Sequence, residues 1–556
     1  MRGTLSIMPS RAARPGILPS NSDAVNNTSA DPRSARTFFI LSAAALGMTA
    51  LLALLPAAGH DQMWFLYAAQ QVLRGTTLYG PHLLDSNPPL IVWMLLVPVG
   101  FANLLHLPLA LVFKLFVAAT ELAVALACLH LLRRLQPRPT RTRLWALAFG
   151  FVCVFGAMPA RDFGQRDHLL ALLFLPYVLA AALDGRPPDA RDQARLSLGA
   201  RIAIGIVAGV AISLKPHHLI VPTAVEAALI LKCRPALRRL FRPEALALLA
   251  TCAVYLAAIR VFTPQYLTGA LPILRDTYWA IGPLTLPQLI GQAIELHLLA
   301  AAAFVLSFIT GWRKLPLLTI LLLAAGTAST IAYDLQGTGW YYQQIPALSF
   351  FALALWLQLL DLAAERRFIL PAWSSKAAAA LSILAIALTA FFSGYTLRRP
   401  LSFPSGLSDI PDPSFFTGLP PNTPVAILTT VVDDSIPPIF TRHLTWAQRQ
   451  NNLWTLPAIL RNESPGPGDP RRRIPPIRLA QLDQLQHTWM VDDLAYWHPA
   501  LILIQRCQDP AVHCQILEDR HDDLLAWFER DPRFRAIFSR YRYLRSSGEF
   551  DAYVLK

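Results

Sequence analysis

The sequence predicts an α-helical polytopic membrane protein of about eleven transmembrane helices plus juxtamembrane helices, followed by a small C-terminal α/β domain outside the cytoplasm. Three observations lead there. Hydrophobic residues fill 54% of the 556 positions and charged residues only 15%. A soluble chain carries about 25% charged residues, so this one has too little polar surface for a water-soluble globule of its size. Its mean hydropathy is +0.41, and apolar runs near the length that crosses a bilayer recur as far as position 396. Beyond 396 the composition changes to turn-rich and then strand-like. These numbers also exclude a disordered chain, a collagen and a disulfide-rich scaffold.

Taken in order, residues 1–36 are polar, rich in Ser, Pro, Asn and Arg, and read as a disordered cytoplasmic tail. The tail is too long for a signal peptide, so the apolar run 37–58 reads as a retained signal anchor. Further spans are expected at 108–132, 144–160, 168–183, 201–214, 217–232, 245–262, 292–311, 315–333, 343–362 and 376–396. The stretch 89–105 (PLIVWMLLVPVGFANLL) is ambiguous by hydropathy alone. Charge settles it. If 89–105 lies in the outer interface, the cytoplasmic segments carry 23 Lys and Arg and the outer loops 5. If it spans, every later loop changes sides and RRLQPRPTRTR faces outward, against the positive-inside rule. The net charge of +14 then belongs to cytoplasmic loops, and no nucleic-acid partner is expected.

The resulting organisation is a membrane module over 37–396 with an outer loop 59–107, a Pro/Ser/Gly-rich linker 397–423, and an α/β domain over 424–556. Strands are expected at PVAILTTVV (424–432), PALILIQ (499–505) and EFDAYVLK (549–556), a helix at DDLLAWFERDP (522–532), and a loop at 461–478. Cys128, Cys153, Cys233 and Cys252 fall in or beside spans as packing residues. Cys507 and Cys514 are expected to form a disulfide if their side of the membrane is oxidising.

Glycine-rich phosphate loops, HExxH and serine nucleophile elbows are absent from the sequence. The candidate chemistry lies in the outer loops. Asp61 follows the first span and precedes the helix-like MWFLYAAQQVL; it reads either as a helix cap or as a carboxylate with work to do. The short loop RDFGQRDH holds Arg161, Asp162, Arg166, Asp167 and His168. It reads as local ion pairs or as an anion site with Arg as a forked donor. Lys215-Pro216-His217-His218 is either a functional site at membrane depth or a helix break with snorkelling ends. Trp340, Tyr341 and Tyr342 suit interfacial anchoring or sugar stacking.

The order acid, amphipathic helix, RG-x-x-LY and then NPPL (Asn87 to Leu90) resembles the first outer loop of the GT-C superfamily of polytopic glycosyltransferases. Protein O-mannosyltransferases and lipid A aminoarabinose transferases belong to that superfamily. Gly164-Gln165-Arg166-Asp167-His168 and Lys215-Pro216-His217 are similar to motifs of bacterial members. The resemblance covers about 37–395. It implies a bacterial plasma-membrane enzyme with its N-terminus cytoplasmic and its C-terminal domain periplasmic. That enzyme moves a sugar from a polyprenyl-phosphate donor to the hydroxyl of a glycan, lipid or protein acceptor. Asp61 is then the general base of an inverting single displacement. Arg166, Lys215 and His217 fall to the donor phosphate, and Gln62, Asp167, Asn87 and Tyr341 to the acceptor or to support. No cofactor is required by the pattern, and a divalent metal stays open. The chain departs from the family where Gln62 follows Asp61 in place of a second carboxylate, and where Asn87 stands for a His or Lys. A flippase or transporter of lipid-linked sugars, or a non-catalytic envelope assembly protein, is the alternative.

Overall fold

The computed structural model describes residues 36–37, 39–44, 46–47, 58–136, 139–186, 196–233, 241–282, 284–366, 411–466, 473–512, 514, 516–517 and 520–556. The expected tail 1–36 and the expected spans 37–58 and 376–396 lie largely or wholly outside these residues.

The described residues between 36 and 47 are helical; after them α1 (His60–Leu73) is buried all round from Gln62 to Ala69. The prolines of NPPL then start α2 (Leu90–Leu105), an apolar helix of 16 residues that packs on α1. The series continues with α3 (Leu109–Leu135), α4 (Arg141–Phe151) running into a π turn at Val152–Ala157, and α5 (Arg166–Asp184). Next come α6 (Leu198–Leu214), α7 (Ile220–Lys232), α8 (Pro243–Phe262) and the short α9 (Leu271–Thr277). Among the described residues the module ends with α10 (Leu286–Gln292), α11 (Ile294–Thr310), α12 (Leu317–Gln336) and α13 (Tyr341–Arg366).

By length and composition α3, α5, α8, α12 and α13 can cross a bilayer; the pair α10–α11, bent by 80°, would make six. Helices α2 and α6 are apolar but shorter. The centre is α5, buried from Arg166 to Leu183 and packed against α3, α6, α12 and α13. Its sequence, LLALLFLPYVLAAALD, is apolar all round, as a helix enclosed by others must be.

The C-terminal domain is a five-stranded sheet in the order β2-β1-β3-β5-β4. Strands β1 (Pro424–Leu428), β2 (Thr445–Trp446) and β3 (Leu501–Gln505) are parallel, with Val425 opposite Leu501 and Leu428 opposite Ile504. Strands β4 (Tyr541–Ser547) and β5 (Phe550–Leu555) are antiparallel additions. The runs PVAIL and LILIQ are nearly continuous apolar strands because parallel strands are covered on both faces. The helices are α14 (Val432–Thr441), α15 (Leu456–Glu463), α16 (Pro476–Trp497), α17 (Leu524–Phe528) and α18 (Pro532–Phe538).

Two expectations are corrected here. Residues 411–423 are not linker: Phe415 and Phe416 are buried in the domain core, and Asp412 binds Ser547 of β4. The stretch 461–478 is not all loop, since α15 reaches Glu463 and α16 starts at Pro476. In both places prolines mark element starts rather than the absence of structure. Cys507 and Cys514 are joined by a disulfide.

Helix α14 of the domain packs on α1, and α15 packs on α9. Specific bonds reinforce the docking. The Trp446 amide donates to the Tyr67 hydroxyl at 3.1 Å, the Leu84 amide to the Arg449 carbonyl at 2.7 Å, and Arg478 to Asp276 at 2.8 Å.

Candidate active site

The docking of the domain on the module leaves a cavity of about 430 Å³ between them. Its helical wall presents Asp61, Asn87, Arg166, Glu295 and Tyr341, and the domain closes the other side with Thr430, Asp433, Asn451 and Trp454.

Asp61 enters on the first turn of α1, where a negative charge suits the helix dipole. It is not the cap: Gly59 holds that position. One carboxylate oxygen accepts from Gln165 Nε2 at 2.9 Å, while the other lies 3.5 Å from His60 Nε2. His60 in turn lies 2.8 Å from Asp433 of the domain. Burial disfavours a charged imidazole, but Asp433 and Asp61 outweigh it and raise the His60 pKa to about 9.

Gln165 and Arg166 are set by a tight turn. Gly164 has φ +88°, and a Cβ there would lie 2.5 Å from the Phe113 ring, so only glycine fits. The Gln165 side chain accepts from the Arg166 amide and caps α5. The charged run Arg166-Asp167-His168, expected in a loop, is therefore the buried first turn of a helix.

Arg166 lies with its guanidinium 5.0 Å from the Phe65 ring centroid and donates to Asn87 Oδ1 at 2.5 Å. Its Nε has no partner among the described residues. Asn87 is held by buried Asp85, which accepts from both the Asn87 amide and Nδ2 at 2.9 Å. Burial raises the Asp85 pKa to about 6, against the opposing effect of those bonds. Tyr79 adds a hydrogen bond from its hydroxyl to the Asn87 carbonyl.

The other sequence candidates fall around the cavity. Asp167 and Lys215 form a buried pair at 2.7 Å; Lys215 also donates to Gln336 at 3.0 Å and stands 5.1 Å from the Tyr342 ring centroid. Neither lines the cavity. Gln62 is buried and donates to the Arg161 carbonyl at 3.4 Å. Tyr341 lines the cavity and donates to the Met158 carbonyl at 3.1 Å. His217 is exposed and outside the cavity, while its neighbour His218 is buried.

Sequence reasoning missed His60, Asp85, Glu295 and Asp433. A polar His beside Asp61 was a visible signal; the others depend on tertiary docking. Among the described residues no three His, Cys, Asp or Glu side chains form a group able to hold a metal. Asp61 is flanked by Gln165 and by His60, and His60 is paired with Asp433.

No protein-family model matches the sequence, and no curated protein matches it. Solved structures do. ArnT, an aminoarabinose transferase from Cupriavidus metallidurans, matches in its apo state with a TM-score of 0.50 at 16% identity, over 92% of this chain and 97% of that one. The same protein bound to undecaprenyl phosphate gives 0.49, with the same identity and coverage. The Archaeoglobus fulgidus oligosaccharyltransferase, in complex with Zn and sulfate, gives 0.45 at 14% identity, over 93% of this chain and 73% of that one. The likeness to the apo form shows the fold: an ArnT-like helical module followed by a mixed-sheet domain.

Proposed function

We propose that this chain is a membrane glycosyltransferase that moves a sugar from a polyprenyl-phosphate donor to an acceptor hydroxyl outside the cytoplasm. One observation carries the reading. A carboxylate on α1 and an arginine on α5, Asp61 and Arg166, line the same cavity, and Arg166 Nε has no partner among the described residues. An acceptor hydroxyl is a weak nucleophile and needs a base within hydrogen-bond reach. Asp61, oriented by Gln165, takes the hydroxyl proton as oxygen bonds to the anomeric carbon. The bond from that carbon to the phosphate oxygen breaks on the opposite face, so the configuration inverts. Arg166 answers the charge that develops on the departing polyprenyl phosphate. Lys215, already engaged by Asp167 and Gln336, acts in this reading by holding the first turn of α5. The fold shared with ArnT supports glycosyl transfer in general.

Orientation follows from charge. Contacts join Arg134 with Arg186, Lys232 with Arg313, and Arg143 with Asp361, all in or beside segments of the basic, cytoplasmic set. The cavity residues come from the outer set. This supports a multi-pass plasma-membrane protein with its cavity and C-terminal domain periplasmic; a cytoplasm-only reporter fused after Lys556 stays silent, and a bright signal reverses the topology. A flippase would need a path along the bundle, whereas α5 is packed throughout its length.

The decisive experiment is complementation of a deletion strain with Asp61→Asn. The variant keeps wild-type membrane levels and accumulates the lipid-linked sugar that the deletion accumulates. Normal transfer by Asp61→Asn would refute the mechanism.

A further inference from the structure

The cavity wall contributed by the C-terminal domain has its own chemistry. Thr430, Asn451 and Trp454 line it and are 2%, 4% and 2% exposed. Yet Thr430 Oγ1, Asn451 Oδ1 and Trp454 Nε1 have no hydrogen-bond partner among the described residues. Buried polar atoms are nearly always paired. Three orphans from one domain, all on one cavity, mark a place for a polar ligand.

Their backbones are fixed in place. Ser435 donates its hydroxyl to the Asn451 carbonyl at 2.6 Å, Asn452 Nδ2 donates to the Thr430 carbonyl, and the Leu453 amide donates to the Thr429 carbonyl at 2.9 Å. A site held this way is pre-organised rather than formed by rearrangement. Its location is a second, independent argument. Thr430 follows β1, and Asn451 and Trp454 follow β2, at the carboxyl ends of parallel strands. The order β2-β1-β3 means that the chain winds to one side of β1 and then to the other. Open α/β sheets bind their ligands outside the strand ends at such a reversal.

The orphan atoms define the ligand class. An indole N–H only donates, an amide oxygen only accepts, and a threonine hydroxyl does both. Neighbouring hydroxyls on a ring satisfy all three, because each hydroxyl both donates and accepts. An anion would be repelled by the amide oxygen, and a lipid chain would leave every orphan unmet. Trp340 and Tyr341, on the same cavity, supply flat apolar surface for the C–H face of a ring.

We infer that Thr430, Asn451 and Trp454 form a sugar-binding subsite across the cavity from Asp61. The inference rests on the glycosyl-transfer reading and extends it to the C-terminal domain. The ring belongs either to the donor or to a carbohydrate acceptor.

Thr430→Val removes a hydroxyl at nearly constant volume, and Trp454→Phe removes the indole N–H together with part of the ring. They are made singly and together, so failure of the double variant to fold leaves two tests standing. In the Asp61→Asn background the full chain in detergent is titrated with undecaprenyl phosphate and with the lipid-linked sugar purified from Asp61→Asn cells. If the ring is the donor's, affinity for the lipid-linked sugar falls about tenfold while that for undecaprenyl phosphate holds. If it is the acceptor's, both affinities hold. With Asp61 restored, half-maximal transfer then needs about tenfold more of the deletion strain's envelope carbohydrate, at little cost in kcat. Unchanged affinities with unchanged transfer overturn the subsite. So does an equal loss for both probes with a lowered Tm in every variant. Asp61→Asn cells that accumulate no lipid-linked sugar overturn the glycosyl-transfer reading itself, which is a separate failure.

Discussion

Buried charge gathers at both ends of the helical module, and the two ends handle it differently. At the end away from the C-terminal domain, Arg242 lies 2.5 Å from Glu226 and 3.2 Å from Asp184. Arg201 there lies 2.6 Å from Asp184 and 2.7 Å from Glu244. Tyr177 donates its hydroxyl to Glu226 at 2.5 Å. These groups answer one another and tie α5, α6, α7 and α8 together. At the other end Asp61 is held by Gln165 and His60, and Asn87 by Asp85 and Arg166, and Asp61, Asn87 and Arg166 all border the cavity. A closed network locates helix ends; an open one holds side chains in readiness for something else. Burial and charge alone do not distinguish the two, but access to the cavity does.

The largest expected effect strikes the closed end. Arg242→Ala leaves Glu226 as an uncompensated buried carboxylate and should cost about 3–5 kcal/mol of stability. Thermal unfolding in detergent measures it, and transfer per folded molecule should change little. A variant that keeps its stability but loses transfer would erase the distinction between the ends.

The second prediction concerns the contact between domain and module. His60 is faced by Asp433, Asp61 and, in opposition, Arg161, and its pKa is raised to about 9. A folded-state pKa above the unfolded 6.5 contributes stability that is complete below pH 6.5 and is lost as the pH rises through about 9. At one pKa unit per 1.36 kcal/mol the contribution is at most about 3 kcal/mol. Unfolding followed from pH 6 to 10 should show this loss in the wild type and a flatter profile in Asp433→Asn. Identical profiles would remove His60 from the interface account.

The smallest effect is Tyr67→Phe. It withdraws the acceptor of the Trp446 amide and should cost about 1 kcal/mol, seen as a small drop in Tm with transfer retained. A cost of several kcal/mol would mean that docking depends on this one bond.

Much of this was legible in the sequence because hydropathy has a long reach. The apolar runs became α3, α5, α8, α12 and α13, and the continuous strands PVAIL and LILIQ became β1 and β3. Helix α16 was not legible: LAQLDQLQHTWMVDDLAYW mixes polar and apolar residues, and its start was hidden by prolines. Residues 166–168 looked like loop because charge seldom enters a buried helix, and here it does so with Asp167 paired to Lys215. His217 and His218 are neighbours in sequence, but the 3₁₀ turn Pro216–Leu219 sends one outward and one inward. Asp433, Asn451 and Trp454 reach the cavity only through docking of the domain, for which no periodicity exists.

The most direct measurement is a structure of the full chain with undecaprenyl phosphate bound. The account predicts phosphate oxygens within about 3 Å of the Arg166 guanidinium, the distance of a charge-assisted hydrogen bond, on the cavity wall that carries Asp61. Phosphate held at Arg201 and Arg242, or anywhere outside the cavity, would contradict it.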